Sequence, residues 1–429
     1  MSQLSFSDLD SVLIQDVARK VAERCDELAA FTEHSDGLTR TFCSPAMRKT
    51  YDQVAQWMQQ AGMSSTTDAM GNLIGQLDRD DNEQIFMTGS HLDTVVNAGR
   101  FDGTLGLLLG VAMAEVMSRA EIELNFNLHV VGFSEEEGVR FKLPFIGSRG
   151  IAGTFDSADF ERTDSSGVTV REALLKFGCA ANDCQSASYA NRNVIGFMEA
   201  HIEQAVQLQQ SDAPLGVVRA IAGQSRASIV FEGTAGHAGT VPHEQRRDAL
   251  AAAAELILEI ERLGQATEGL FATVGQVQVS PGLSNVISGR AELWLDLRHE
   301  NDDVRCQAFQ TIEQKISAVS SARNVEGRIE GVQQASAVQM DSELTAILTA
   351  AAEQAGSKTE TMISGAGHDA MIMANLAPVC MLFIRCRDGV SHHPDEFVTP
   401  EDIEVALRVM VTALLKPVSY THLTLPTKA

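Results

Sequence analysis

No stretch of about 18 consecutive apolar residues occurs in the sequence, so none of it reads as a membrane-spanning helix. The opening residues, MSQLSFSDLDSVLIQDVARK, lack a basic stretch followed by an apolar block, and no secretory signal is expected. Cysteine is sparse: seven residues, an odd number, of which only Cys179 and Cys184 lie close together. That pattern points to reduced thiols in a cytoplasmic protein rather than to a disulfide framework. Positive charge is also scarce. Lys and Arg number 33 against 57 Asp and Glu, and the net charge of −24 argues against a nucleic-acid-binding surface. Part of that acidic excess is ligand charge if carboxylates hold cations; the rest is solvated surface. No internal repeat is visible.

What is present is 429 residues, enough for two domains. Residues 8–31 have a helical stripe of Leu13, Val17 and Val21, and a second helix is expected over 45–61. Short apolar runs at 72–77, 84–88 and 126–133 read as buried strands, with a Gly- and Leu-rich helix over 103–118 between the last two. Strands alternating with helices imply a layered α/β domain. The middle of the chain differs. Ala227, Ile229 and Phe231 alternate with Ser228, Val230 and Glu232, and Leu293, Leu295 and Leu297 with Glu292, Trp294, Asp296 and Arg298. One-sided alternation marks antiparallel strands with a solvated face, covered on the other face by helices over 246–263 and 301–321. Afterwards a helix (341–355), a buried strand (378–384) and a last helix return to the first pattern. Thr399 can cap that last helix, with Pro400, Glu401 and Asp402 in its first turn. The expected fold class is therefore α/β. A catalytic domain (1–211 and 327–417) is interrupted by a smaller α+β domain (212–326), and residues 418–429 read as an appended tail.

Candidate chemistry sits at the strand ends. His91 follows an apolar strand in GSHLDTV, Asp102 lies in GRFDGTLG before a helix, and Glu135, Glu136 and Glu137 follow the strand ending at Phe133. Ligands of open α/β sheets gather outside the carboxyl ends of strands. His201, in EAHIEQ, and His392, in GVSHHPDE, lie farther on. Imidazole nitrogen and carboxylate oxygen together suit zinc, manganese, nickel or cobalt. One carboxylate can bridge two cations, and three consecutive glutamates repel one another unless cations offset them. Asp93 can cap its own turn or fix the tautomer of His91. Each feature is commonplace alone; their combination is not.

In order, HLDTV, GRFDGTLG, SEEEGVRF, GSRGIAG, HIEQ, GHAGT and SGAGHDA resemble the amidase branch of the dinuclear metallopeptidase superfamily, over nearly all of residues 8–416. That superfamily includes aminoacylases and carboxypeptidase G-like enzymes. The branch holds allantoate amidohydrolases, N-carbamoyl-L-amino-acid hydrolases and β-ureidopropionases. The resemblance implies that the inserted domain is a lid and dimerisation domain, and that each subunit holds two divalent metal ions, manganese or zinc before nickel or cobalt. It implies that His91 and His392 are terminal ligands, Asp102 the bridging carboxylate, and Glu137 and His201 further ligands. Glu136 is then the general base and Asp93 the partner of His91. His237 is expected to polarise the scissile carbonyl, and Asn285 and Arg298 to bind the substrate carboxylate, with Gln204, Gln224, Gly365, Gly367 and His368 as further contacts. In the family, the lid His, Asn and Arg can act across a dimer interface, and the resemblance implies a homodimer.

Three departures stand out: Ala205 after HIEQ where glycine is usual, Val241-Pro242-His243 after GHAGT, and His393, which makes a second candidate beside His392. GLTRTFCSPAMRKT and DAMGNLIG are most similar to allantoate amidohydrolases. The implied reaction is hydrolysis of allantoate to ureidoglycine (or ureidoglycolate), ammonia and carbon dioxide. The alternatives are an N-carbamoyl-L-amino-acid hydrolase, a β-ureidopropionase, a dipeptidase, or a non-catalytic ureide-binding protein.

Overall fold

Apolar runs long enough to be buried on both faces of a sheet form the centre of this chain, a computed structural model that describes residues 11–79, 82–181 and 183–416. The tail at 418–429 and the first residues of the helix expected from 8 lie outside the described residues. Two compact units are present. One comprises the described residues up to Arg219, Met340–Met362 and the chain from His368 onward; the other comprises Ala220–Gln339 with Ile363–Gly367.

The first unit carries a mixed sheet. Seven of its strands lie in the order Ser64–Thr67, Leu73–Leu77, Asn127–Phe133, Gln84–His91, Asn193–Ile202, Val379–Ile384 and Leu215–Ile221. The four from Asn127–Phe133 to Val379–Ile384 are mutually parallel, and the outer pairs are antiparallel. Every residue of Asn127–Phe133 and Val379–Ile384 is buried, as expected of parallel strands with both faces covered. The helix Thr104–Arg119 is buried from Thr104 through Met117 and joins the same apolar core as the helices Ser11–Ala29, Pro45–Gln60 and Pro400–Leu414. It approaches the sheet so closely that a Cβ on Gly106 would stand 2.0 Å from the carbonyl oxygen of Ala200. The cap expected at Thr399 is present, and Ser44 supplies a second. Ser44 accepts from the N–H of Met47 and Thr399 from that of Asp402, each just before a proline at the helix start.

The second unit is a four-stranded antiparallel sheet in the order Glu326–Ala335, Gly223–Glu232, Arg290–His299 and Phe271–Ser280. Ala227, Ile229, Phe231, Leu293, Leu295 and Leu297 pack on one face against the helices Ala249–Ala266 and Asp302–Arg323. Val230, expected on the polar face, is also fully buried. The expected insertion, 212–326, differs from this unit at both ends. It begins before the strand Leu215–Ile221, and it stops where Glu326–Ala335 starts, although that strand pairs with Gly223–Glu232.

Candidate metal centre

The four parallel strands end side by side, and each delivers chemistry at its carboxyl end. His91 is the last residue of Gln84–His91, and Glu135, Glu136 and Glu137 follow Asn127–Phe133. His201 is next to last in Asn193–Ile202, and the loop after Val379–Ile384 carries Ser391 and His392. Asp102 enters on the loop before Thr104–Arg119.

Three groups of side chains each place their ligand atoms within 4.8 Å of one another: His91, Asp102 and His201; Asp102, Glu137 and His392; and His91, Glu136 and Glu137. Asp102 belongs to the first two and divides its oxygens between them. Its Oδ1 lies 3.4 Å from Nε2 of His91 and 3.0 Å from Nε2 of His201. Its Oδ2 lies 3.3 Å from Nε2 of His392, which is 3.5 Å from Oε1 of Glu137. The first group is buried, whereas the side chain of His392 is 48% exposed.

This donor set fits cations. Nδ1 of His91 donates to the carbonyl of Asp93 at 2.9 Å, and Nδ1 of His201 to the carbonyl of Ile202 at 3.0 Å. Nε2 of each ring faces the carboxylate of Asp102, an arrangement that needs positive charge between them: a proton on the imidazole, whose pKa is raised in both rings because Asp102 outweighs burial, or a cation in its place. The buried Oδ1 of Asp102 accepts no hydrogen bond among the described residues. Bonds of about 2.0–2.2 Å at tetrahedral angles hold neighbouring ligand atoms roughly 3.3–3.6 Å apart, close to the separations found here. Charge tells the same story. Burial works to raise the carboxyl pKa of Asp102, but His201, His392 and His91 outweigh it and hold it well below the usual range. Burial pushes Glu136 well above that range and Glu137 up to about 7, with neighbouring carboxylates adding to both. A bound cation reverses such shifts.

The surroundings sort the other expected residues. The hydrogen bond expected from His91 to Asp93 goes to the Asp93 carbonyl, and the nearer carboxylate oxygen stands 3.8 Å away. The Asp93 carboxylate instead accepts the N–H groups of Glu136 and Glu137, both at 3.0 Å, and so fixes the backbone of the two glutamates together. Glu135 takes no part in the three groups; its Oε1 accepts from the N–H groups of Arg140 and Phe141. Gln204 donates to Oδ2 of Asp102 at 3.2 Å and to Ser391 at 3.0 Å. His393 is turned into its own loop, where Nδ1 accepts from the N–H of Asp395, so His392 alone of that pair joins the cluster. His368 is 2% exposed, with its ring centroid 4.5 Å from that of His201.

The remaining expected residues belong to the second unit. His237 and Asn285 are exposed neighbours beside a short antiparallel pairing of Gly236–His237 with Val286–Ile287, where the N–H of Ala238 donates to the carbonyl of Asn285 at 2.9 Å. Gln224 and Arg298 face each other across paired strands and both donate to Asp296. Arg298 also donates to the carbonyl of Gly365 at 2.6 Å. Gly367 is exposed.

Residues 87–416 match Peptidase family M20/M25/M40. The chain belongs to that family. It is 36% identical to allantoate deiminase 1 of Glycine max, an alignment covering 92% of this chain and 89% of that protein. It is 37% identical to an N-carbamoyl-L-amino acid amidohydrolase of Geobacillus stearothermophilus, covering 88% of this chain and 92% of that one. The crystal structure of an amidase of the hydantoinase/carbamoylase family from Burkholderia multivorans matches with a TM-score of 0.88 at 31% identity, over 94% of this chain and 98% of that one. M20 enzymes are metal-dependent hydrolases, and this chain is a hydrolase of carbon–nitrogen bonds. No helix among its described residues is long and apolar enough to cross a membrane.

Sequence reasoning missed several residues of this M20 site. Ser391 donates to Oδ2 of Asp102 at 2.8 Å, and Glu396 accepts the N–H groups of Phe101 and Asp102 at 2.6 and 2.9 Å. Asp296, which orients Arg298, was read only as a solvated position. Ser391 adjoins His392, a usable signal. Glu396 closes the same GVSHHPDE stretch, four residues after His392.

Proposed function

We propose that this M20 enzyme uses two divalent cations, manganese or zinc, to hydrolyse a ureido C–N bond, and that its substrate is allantoate. The observation that carries the reading is the division of Asp102 between two ligand groups, with Glu136 beside them. His91 and His201 would hold one cation and Glu137 and His392 another, with Asp102 common to both groups, and cations there would supply Lewis acidity. Glu136 takes the proton of the attacking water as it adds to the ureido carbonyl, then delivers it to the departing nitrogen. The resulting carbamate decomposes to carbon dioxide, leaving ureidoglycine, or ureidoglycolate after further hydrolysis, and ammonia.

His237 serves the developing oxyanion, and Asn285 and Arg298 the substrate carboxylate, with Gln204, Gln224 and Gly367 as further contacts. The guanidinium of Arg298 is held by Asp296 and Gly365, which orients it for such a grip. The burial of His368 fits a place behind His201 better than a substrate contact. The working form is a cytoplasmic homodimer. Support comes from seven free cysteines and from exposed Leu250, Leu258, Phe271 and Val277 on the second unit.

A second substrate reading has a specific basis: N-carbamoyl-L-amino-acid amidohydrolases match this chain at the same identity as allantoate deiminases. The test is ammonia release from allantoate, N-carbamoyl-L-amino acids, β-ureidopropionate and simple dipeptides after loading with manganese or zinc. Allantoate is expected to give the highest kcat/KM. A preference for N-carbamoyl amino acids by tenfold or more would replace it.

A further inference from the structure

Arg40 lies within the GLTRTF stretch and is entirely buried, at 0% exposure. It ranks among the largest fully buried side chains of the molecule. Its guanidinium donates from Nε to the carbonyl of Leu92 at 2.6 Å, from Nη1 to the carbonyl of Leu28 at 3.0 Å, and from Nη2 to Oγ1 of Thr104 at 3.0 Å. All three acceptors are neutral. Burial lowers its pKa to about 10, a shift that Asp93 opposes, so the side chain stays charged at neutral pH. A buried cation whose hydrogen bonds all go to neutral groups carries a desolvation cost that the nearby Asp93 offsets only in part. A fold gains little from such a group unless its geometry is used.

The acceptors show what that geometry does. Leu92 adjoins His91. Thr104 opens the helix that follows Asp102, two residues on. The backbone adds to the same frame: the N–H of Arg40 donates to Oγ1 of Thr94 at 2.9 Å, and the N–H of Thr94 donates to the carbonyl of Arg40 at 2.9 Å. One planar fork thus spans the segment behind His91 and the segment behind Asp102, whose ligand atoms stand 3.4 Å apart. A lysine ammonium lacks that rigid fork.

We propose that Arg40 is a positioning residue of the metal centre, fixing the separation of His91 and Asp102 by tying the segments that follow them to one guanidinium. This rests on the reading of those two residues as ligands. It also accounts for a sequence stretch that the catalytic roles leave unused.

The test compares the full-length wild type with Thr104→Val, Thr104→Ser and Arg40→Lys. Each metal-free protein is titrated with Zn²⁺ by calorimetry, and each Mn²⁺-loaded protein is examined by electron paramagnetic resonance, with melting temperatures recorded in parallel. Wild type and Thr104→Ser, which keeps the acceptor hydroxyl, are expected to bind two ions per chain and to show the broad signal of an interacting manganese pair. Thr104→Val is expected to weaken at least one ion by about tenfold and to shift intensity to the six-line signal of isolated manganese. Arg40→Lys, where it folds, is expected to follow it. Thr104→Val with wild-type affinities and pair signal, whatever its melting temperature, overturns the proposal and leaves Arg40 a stabilising residue only. Wild type binding fewer than two ions defeats instead the two-metal reading beneath it.

Discussion

Glu135, Glu136 and Glu137 are adjacent and chemically identical, yet the fold sets Glu135 apart from the other two. Glu135, at φ 49°, turns its carboxylate onto the backbone of Arg140 and Phe141, while Asp93 fixes the N–H groups of the other two. Sequence resemblance separated base from ligand; the acidic run itself did not, because nothing local distinguishes one glutamate from the next. Replacing Glu136 by glutamine preserves size and removes the proton acceptor, so kcat is expected to fall by roughly 10²–10⁴ while two ions remain bound. Metal analysis beside steady-state rates checks both halves. The two histidines of SHHP offer a sharper contrast. His392→Ala is expected to lose one ion and most turnover, whereas His393→Ala is expected to stay within about twofold of wild type, because it lies outside all three ligand groups. Equal losses from the two variants would contradict the assignment. Asp93 illustrates what sequence alone conceals. Proximity suggested a bond to His91, but the acceptor is its carbonyl, which any residue carries; its carboxylate serves the segment that follows the neighbouring strand, Asn127–Phe133.

At the scale of elements, three of the four parallel strands were legible because their apolar runs are long, and the last helix because Thr399 and Pro400 mark its start; Asn193–Ile202, the strand that carries His201, was not expected. Nor was the close approach of Thr104–Arg119 to the sheet, since its glycines read simply as composition. Gly106→Ala places a methyl 2.0 Å from the Ala200 carbonyl, one residue before His201, and is expected to destabilise the fold by roughly 1–3 kcal/mol, read by denaturant unfolding. Gly103 is the more telling site. At φ 63°, its added Cβ would stand 2.5 Å from the His91 ring, so Gly103→Ala is expected to weaken metal binding more than Gly106→Ala does for the same loss of stability. Val230 shows the limit of alternation: it faces away from Ile229 along the strand, yet it too is buried. The end of the insertion was misplaced for a related reason, because Glu326–Ala335 is largely exposed and polar and carries little apolar periodicity.

For the whole molecule, the net charge of −24 acquires a local meaning. Asp93, Asp102, Glu135, Glu136 and Glu137 crowd one end of one sheet, and burial raises most of them where no cation offsets their charge. Stripping divalent ions is therefore expected to lower the melting temperature as well as abolish turnover. A ligand at 100 times its Kd stabilises by about 2.7 kcal/mol, and calorimetry with and without chelator measures the difference. The second unit carries its own polar face of Gln224, Asp296 and Arg298, together with the exposed His237 and Asn285, and alternation could place those residues on a face but not assign them a ligand. The central claim is metal-dependent hydrolysis of a ureido C–N bond. Its most direct test is ammonia release from allantoate by the full-length enzyme before chelation, after chelation, and after reloading with manganese or zinc. The expected result is turnover that disappears with the metal and returns with it; ammonia release undiminished in thoroughly metal-free protein would contradict the claim.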